Sequence, residues 1–382
     1  MSILTSRPAL RWLAPAGAAL AIVAGGVAIG AVTSAADPTL PTRSAAQLLV
    51  DLQTAQLDGL SGTVVVRANL GLPPLPGLGG RGGDGTVAGA NLTKLLSGTH
   101  TLRVWYSGPD KMRLALLDTL GETDLIRNGR DLWTWSSQEN TATHQTLPED
   151  AASRPTLPSL AVPGIAPDQV ARMALAAIEP STQVTVDGSA QVAGRDAYEL
   201  VLRPRDTASL IGSVRLAIDA TEHLPLRVLV NARGADSPAI DVSFQQVSFA
   251  RPDPDQFVFN PPPGAKVEEV DRERAADKTE PPAPTKPGQP GQPNKGEAGR
   301  DFASVGSGWT RVLVLRAPTG EGGVPAELEA LLQNLPRLGN GRVVKGTLFS
   351  VLITDDGRIL VGAVTPDRLV RAAADPAAKL AG

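Results

Sequence analysis
Residues able to do chemistry are few in this chain, and they are scattered. There are three histidines, His100, His144 and His223, and no cysteine. Without cysteine there is no disulfide, no thiolate metal site and no thiol nucleophile. The histidines fall in different segments without ligand spacing, so no metal site is expected. Gly77, Gly79 and Gly82 match the dinucleotide pattern G-x-G-x-x-G. Pro73, Pro74 and Pro76 stand just before it and no helical pattern follows, so the context that seats a pyrophosphate is missing. Asp355 and Asp356 are paired carboxylates, but D-D-G-R is turn chemistry. Asn91-Leu92-Thr93 is a glycosylation sequon. There is no Ser-His-Asp arrangement, phosphate loop or zinc signature. These residues point to a protein that is not an enzyme and carries no cofactor. With 36 basic against 39 acidic residues the net charge is -3, which makes a nucleic-acid partner improbable.

What is left is apolar surface. Residues 99–106 (THTLRVWY) alternate, with Val104 and Tyr106 on one side. Residues 111–117 alternate again, with Met112, Leu114 and Leu116 together. Asn128-Gly129 is a hairpin signal, followed by Trp133 and Trp135, which alternation puts on the same face as one another. We take Val104, Tyr106, Met112, Leu114, Leu116, Trp133 and Trp135 as candidates to line one concave apolar face that holds acyl chains. Packing under a helix is the competing role for each. Two large rings on one face demand a ligand or a covering lid.

The elements that must position them are mostly strands. Ser44 to Gln47 reads as a capping box that opens a helix over 44–56, with Leu48, Leu49 and Leu52 on one face. A strand is expected at 61–70 and a long Gly/Pro-rich loop at 71–98. A second helix is expected at 167–179, with Val170, Met173, Ala174, Ala177 and Ile178 on one stripe. Further strands at 196–203, 213–219, 225–231 and 239–249 are joined by short polar turns, which suits an antiparallel meander. Residues 257–267 close the unit.

Composition then changes. Residues 271–304 carry many charges and prolines and read as a disordered linker. Beyond it, residues 305–380 read as a small α+β domain. It has a strand from Trp309 to Leu315, a helix from Pro325 to Leu335, strands over 342–354 and 358–364, and a last helix with Thr365 as cap and Pro366 at its first position. At the other end, Arg7 and Arg11 precede an uncharged apolar run from Leu13 to Val32. Residues 1–36 therefore read as a cleaved export signal, with a small-residue site at Ser34-Ala35-Ala36, or as a membrane anchor held by residues 13–32. Either way the rest of the chain is expected outside the cytoplasm, secreted, periplasmic or anchored on the outer face.

Several segments in order carry a family pattern: GPDKMRLAL (108–116), NGRDLWTW (128–135), GRDAYELVLRP (194–204), VRLAIDATEHLPLRV (214–228) and VSFQQVSFARPDPDQFVFNPPPGAKV (242–267). Over residues 44–267 the chain resembles the LolA-like lipoprotein carrier family. The segment GTLFSVLITDDGRILVGAVTPDRLVRAA (346–373) adds a similarity to the two-domain RseB/MucB regulators of envelope-stress sigma-factor signalling. The resemblance implies a mainly β fold, a curved antiparallel half-barrel over 40–270 with helices in its mouth, plus the small C-terminal domain. It also implies lipid or lipoprotein acyl chains as ligand and, for an RseB-like member, a membrane anti-sigma factor as partner.

Overall fold
The computed structural model describes residues 40–71, 97–118, 121–147, 180–269, 302–316, 335–375 and 378. The expected signal or anchor, the glycine motif at 77–82, the sequon at 91–93 and the helices at 167–179 and 325–335 lie outside these, apart from Leu335. So does most of the expected linker, whose last positions fall in a strand.

One helix, α1 (Ala45–Thr54), precedes the sheet. Its start is the capping box expected from the sequence: Ser44 Oγ accepts from the Gln47 amide, and Gln47 reaches back to the Ser44 N–H at 2.8 Å. The first half of the sheet is β1 (Leu60–Asn69), β2 (Ser97–Tyr106), β3 (Lys111–Asp118), β4 (Gly121–Asn128), β5 (Asp131–Ser136) and β6 (Thr141–Thr146). The second half is β7 (Thr182–Val192), β8 (Arg195–Pro204), β9 (Ile211–Asp219), β10 (Pro225–Ala232) and β11 (Pro238–Ser248), with a short β12 (Lys266–Glu269). The order is β12-β6-β5-β4-β3-β2-β1-β11-β10-β9-β8-β7, a curved and open sheet whose two edges do not close on each other. All pairs are antiparallel except β12 with β6. Register breaks at Thr63/Val64, Val186/Ser189, Pro225/Arg227 and Val230/Asn231 mark bulges, which bend the strands and increase twist.

The hairpin at Asn128-Gly129 is displaced by one residue from its sequence reading. Asn128 pairs with Asp131 as the last rung of the ladder, so the loop is Gly129-Arg130. Only Gly129 takes a positive φ, +62°, a glycine at the first loop position being what a type II′ turn requires.

One face of this sheet is apolar and the other is laced with charge. Leu48 of α1, fully buried, packs on Tyr198, Leu200, Leu216, Ile218 and Val228 from the β8–β10 half. Burying such a leucine contributes roughly 1.5–3 kcal/mol. A second cluster, with Leu60, Val64, Leu102, Val104, Val242 and Phe244, continues the apolar layer across β1, β2 and β11. On the opposite face the arginines hold carboxylates across strands. Arg113 forks onto Asp124 at 3.0 and 3.2 Å and Arg227 onto Asp241 at 3.2 and 3.0 Å, while Arg215 bridges Glu199 and Asp187. Arg195 grips the buried Asp219 through both nitrogens. Burial would raise the Asp219 carboxyl, but Arg195 and the Thr221 and Glu222 amides outweigh it and hold it low.

A second, six-stranded sheet follows: β13 (Phe302–Val305), β14 (Val312–Arg316), β15 (Arg337–Leu338), β16 (Gly341–Lys345), β17 (Ser350–Thr354) and β18 (Arg358–Gly362), in the order β13-β14-β18-β17-β16-β15. Helix α2 (Pro366–Ala373) packs on its Val312, Val314, Leu352 and Leu360. Thr365 stands at the N-cap without a side-chain hydrogen bond, so the expected cap is positional only. The Asp355-Asp356 pair is a turn: Thr354 Oγ1 bonds Asp356 and Arg358 pairs with it, which together hold the Asp356 carboxyl low.

The small sheet sits on the large one. Thr347 N–H donates to Leu70 O at 2.7 Å, Leu210 N–H to Ala363 O at 2.8 Å, and Trp309 Nε1 to Thr182 Oγ1 at 2.7 Å. Leu348, Phe349 and Trp309 join the cluster under α1. Gly71, at φ +62°, is needed there, since a Cβ would come within 2.8 Å of Thr347 Oγ1.

Candidate functional site
The seven residues expected to share one face divide into two groups. Tyr106 pairs with Met112, Val104 with Leu114, and Leu102 with Leu116, so the five candidates of β2 and β3 do share the apolar face. Trp133 pairs with Ile126, and Ile126 with Arg113, which points away from Met112 and Leu114. Trp133 and Trp135 therefore lie on the charged face. The single-face expectation fails because β4 intervenes, and its register, not the alternation within β5, sets which side the rings take.

The rings are covered by the chain itself. After β11 the chain makes a short 3-10 turn at Pro254–Phe257 and runs on to β12. Phe257, 1% exposed, is buried on this path. Phe259 lies 5.3 Å from Trp133 and 6.0 Å from Trp135, ring centre to ring centre. Trp133 stacks on His144 at 4.3 Å, and His144 bonds Glu269 of β12 at 2.8 Å and Asp131 of β5 at 3.0 Å. Of the two explanations two rings on one face call for, the lid holds, and it is the segment 254–269. His100, by contrast, bonds the Ser97 carbonyl, and His223 sits in a turn at φ +57°. Among the described residues no cluster of His, Asp and Glu is placed to hold a metal ion.

The apolar face over β2–β5 is different. Val104 is buried in the core cluster, while Tyr106, Leu114 and Leu116 only flank it. Met112, Leu125 and Leu132 are partly exposed and belong to no core cluster among the described residues. The ladder sets them out in rows. One row runs Tyr106, Met112, Arg127, Leu132, Gln145, and the next Val104, Leu114, Leu125, Thr134, Thr143. Neighbouring strands lie about 4.8 Å apart, so the patch spans roughly three strand spacings. α1 packs on the β8–β10 half of the face and leaves this quarter alone. Burial and the charges of Asp110 and Asp58 raise the Tyr106 phenol, which stays a neutral hydroxyl at physiological pH.

Leu125, Arg127 and Leu132 were not legible as site residues. GETDLIRN carries four charged or amide side chains and reads as polar. The usable signal is its alternation, Thr123-Leu125-Arg127 against Asp124-Ile126.

An open antiparallel sheet, with one apolar quarter that no other described residues fill, belongs to the half-barrel class. Residues 97–252 match the family model of the MucB/RseB N-terminal domain, from the first residue of β2 to just past β11. The superfamily resemblance read from the sequence is borne out there. Among solved structures, the chain is similar to MucB in the Pseudomonas aeruginosa MucA/MucB complex, at 17% identity over 86% of this chain and 96% of that one, TM-score 0.44. It is also similar to a LolA superfamily protein from Nitrosomonas europaea, at 13% identity over 57% and 99%, TM-score 0.22. The Mycobacterium tuberculosis lipoprotein LppX aligns at 11% identity over 52% and 92%, TM-score 0.26. No curated protein matches.

Proposed function
We propose that this chain is a non-catalytic, extracytoplasmic binding protein of the RseB type that holds acyl chains on the apolar face of β2–β5. The observation that carries this reading is the patch of partly exposed Met112, Leu114, Leu116, Leu125 and Leu132 within the region matching the MucB/RseB domain. Each acyl CH₂ buried there contributes about 0.8 kcal/mol. Residues 40–270 act as the lipid-holding domain, and residues 305–380 as a module for protein contact, joined by 271–304. The run 13–32 supports export, as leader or as anchor.

The test is mass spectrometry of lipid extracted from the full-length chain, exported in a bacterium and purified without added lipid. The expected result is a stoichiometric acylated molecule that is lost in Leu125→Asp and Leu114→Arg variants with an unchanged thermal transition. A lipid-free chain that takes up no fluorescent fatty acid overturns the reading.

A second reading has its own support, because the matching model is that of the MucB/RseB N-terminal domain, and the RseB resemblance read from the sequence implies a sigma-factor regulator. Here the lipid-bound state controls contact with a membrane anti-sigma factor. Co-purification of the two from the same cell, altered by Leu125→Asp, is the expected result.

A further inference from the structure
Arginines on the charged face have acidic partners: Arg67 and Arg227 share Asp241, Arg113 holds Asp124, and Arg215 holds Glu199. Arg127 is on the other face, in the row between Met112 and Leu132. Its Nε donates to the Gly129 carbonyl at 3.0 Å, and no carboxylate or other acceptor among the described residues meets its terminal nitrogens. The bond to Gly129 fixes the plane of the guanidinium and leaves its outer edge free, the edge that forks onto carboxylate or phosphate oxygens. Across Leu132 stands Gln145, whose amide likewise has no partner among the described residues. Residues directly opposite across a ladder have Cβ atoms about 5 Å apart, so both side chains reach over Leu132.

We propose that Arg127, assisted by Gln145, seats the anionic headgroup of an acyl amphiphile whose chain lies over Met112, Leu114, Leu125 and Leu116. This rests on the acyl-binding reading above and adds the sign of the headgroup and its place. Arg127 is half-buried between Met112 and Leu132, and an anion carrying an acyl chain answers both the charge and the greasy neighbours. The headgroup sits at Arg127 and not at Tyr106, because the guanidinium carries the positive charge and the phenol is a neutral hydroxyl.

Three probes decide it, titrated onto the delipidated full-length chain: oleate, oleoyl lysophosphatidic acid and neutral monoolein. Arg127→Gln is expected to weaken the two anions about tenfold, which is about 1.4 kcal/mol, and to leave monoolein unchanged. Arg127→Lys should recover part of the loss, since it keeps the charge and loses the fork. Lys111→Gln, on the opposite face of the neighbouring strand, should change nothing. A larger loss for one anion identifies a carboxylate or a phosphate headgroup. Equal affinities for all three probes in wild type and Arg127→Gln overturn the headgroup seat while the acyl face stands. Failure of every probe to bind the wild-type chain overturns both.

Discussion
His144 is held between two carboxylates, Asp131 and Glu269, with Trp133 stacked on its ring. Burial alone would lower its pKa. The hydrogen bonds to Asp131 and Glu269 and their charges outweigh that and raise it. A raised folded value means the folded state binds the proton more tightly than the unfolded chain. The stabilisation is therefore complete below the ordinary value of about 6.5 and fades as pH rises through the higher folded value. In an NMR titration the His144 ring should show a midpoint above that ordinary value, and Glu269→Gln should bring it down. An unshifted midpoint in the variant would show that the pair does not hold the proton. At this scale legibility followed chain distance. Ser44 and Gln47 are readable as a capping box because its partners are three residues apart. That Trp133 and Trp135 share a face is readable from alternation. That Glu269 meets His144 is not, since 125 positions separate them.

At the scale of elements, the segment from Pro254 to Glu269 is a strap. It crosses the charged face over β3 and β4, covers the two tryptophans with Phe259, and ends as an edge strand of four residues. All four are exposed, so backbone pairing and the bond to His144 hold that end. Its anchor is Phe257. Phe257→Ala should destabilise the large sheet by about 3–5 kcal/mol in chemical unfolding, and limited proteolysis should then cut within 254–265 first. The closing F-x-F-x-P-P is visible in the sequence; its target is not, because the strap meets strands more than a hundred residues earlier. β7 and β6 went unread for another reason: TQVTVDGSAQV and TATHQT lack the large apolar residues that announce a buried strand. β8 to β11 carry such residues and were readable.

Across the whole molecule, the two sheets meet through Trp309, Thr347, Leu348 and Ala363. Leu348, 6% exposed, sits in the cluster beneath α1. Leu348→Asp should undock the small sheet without melting either one, read as a larger radius of gyration in X-ray scattering with unchanged circular dichroism. An unchanged radius would place the grip in the backbone bonds instead. The sequence marks the two units by composition but contains no sign of their contact, which arises from a loop tip at 347–349 and the ends of strands. The order of strands has a temporal meaning as well. β2 to β6 and β8 to β11 are meanders, each able to zip up from local turns. Their ladders join where β1 lies against β11, pairing Ala68 with Ile240 and Ser61 with Ser248. Contacts so distant in sequence are slow to form, because loop-closure entropy is lost before they repay it. With the export proposed above, passage from the N-terminus delivers β11 long after β1. Until then β1 presents an unpaired apolar edge, so the seam of this sheet is the stretch most in need of a chaperone.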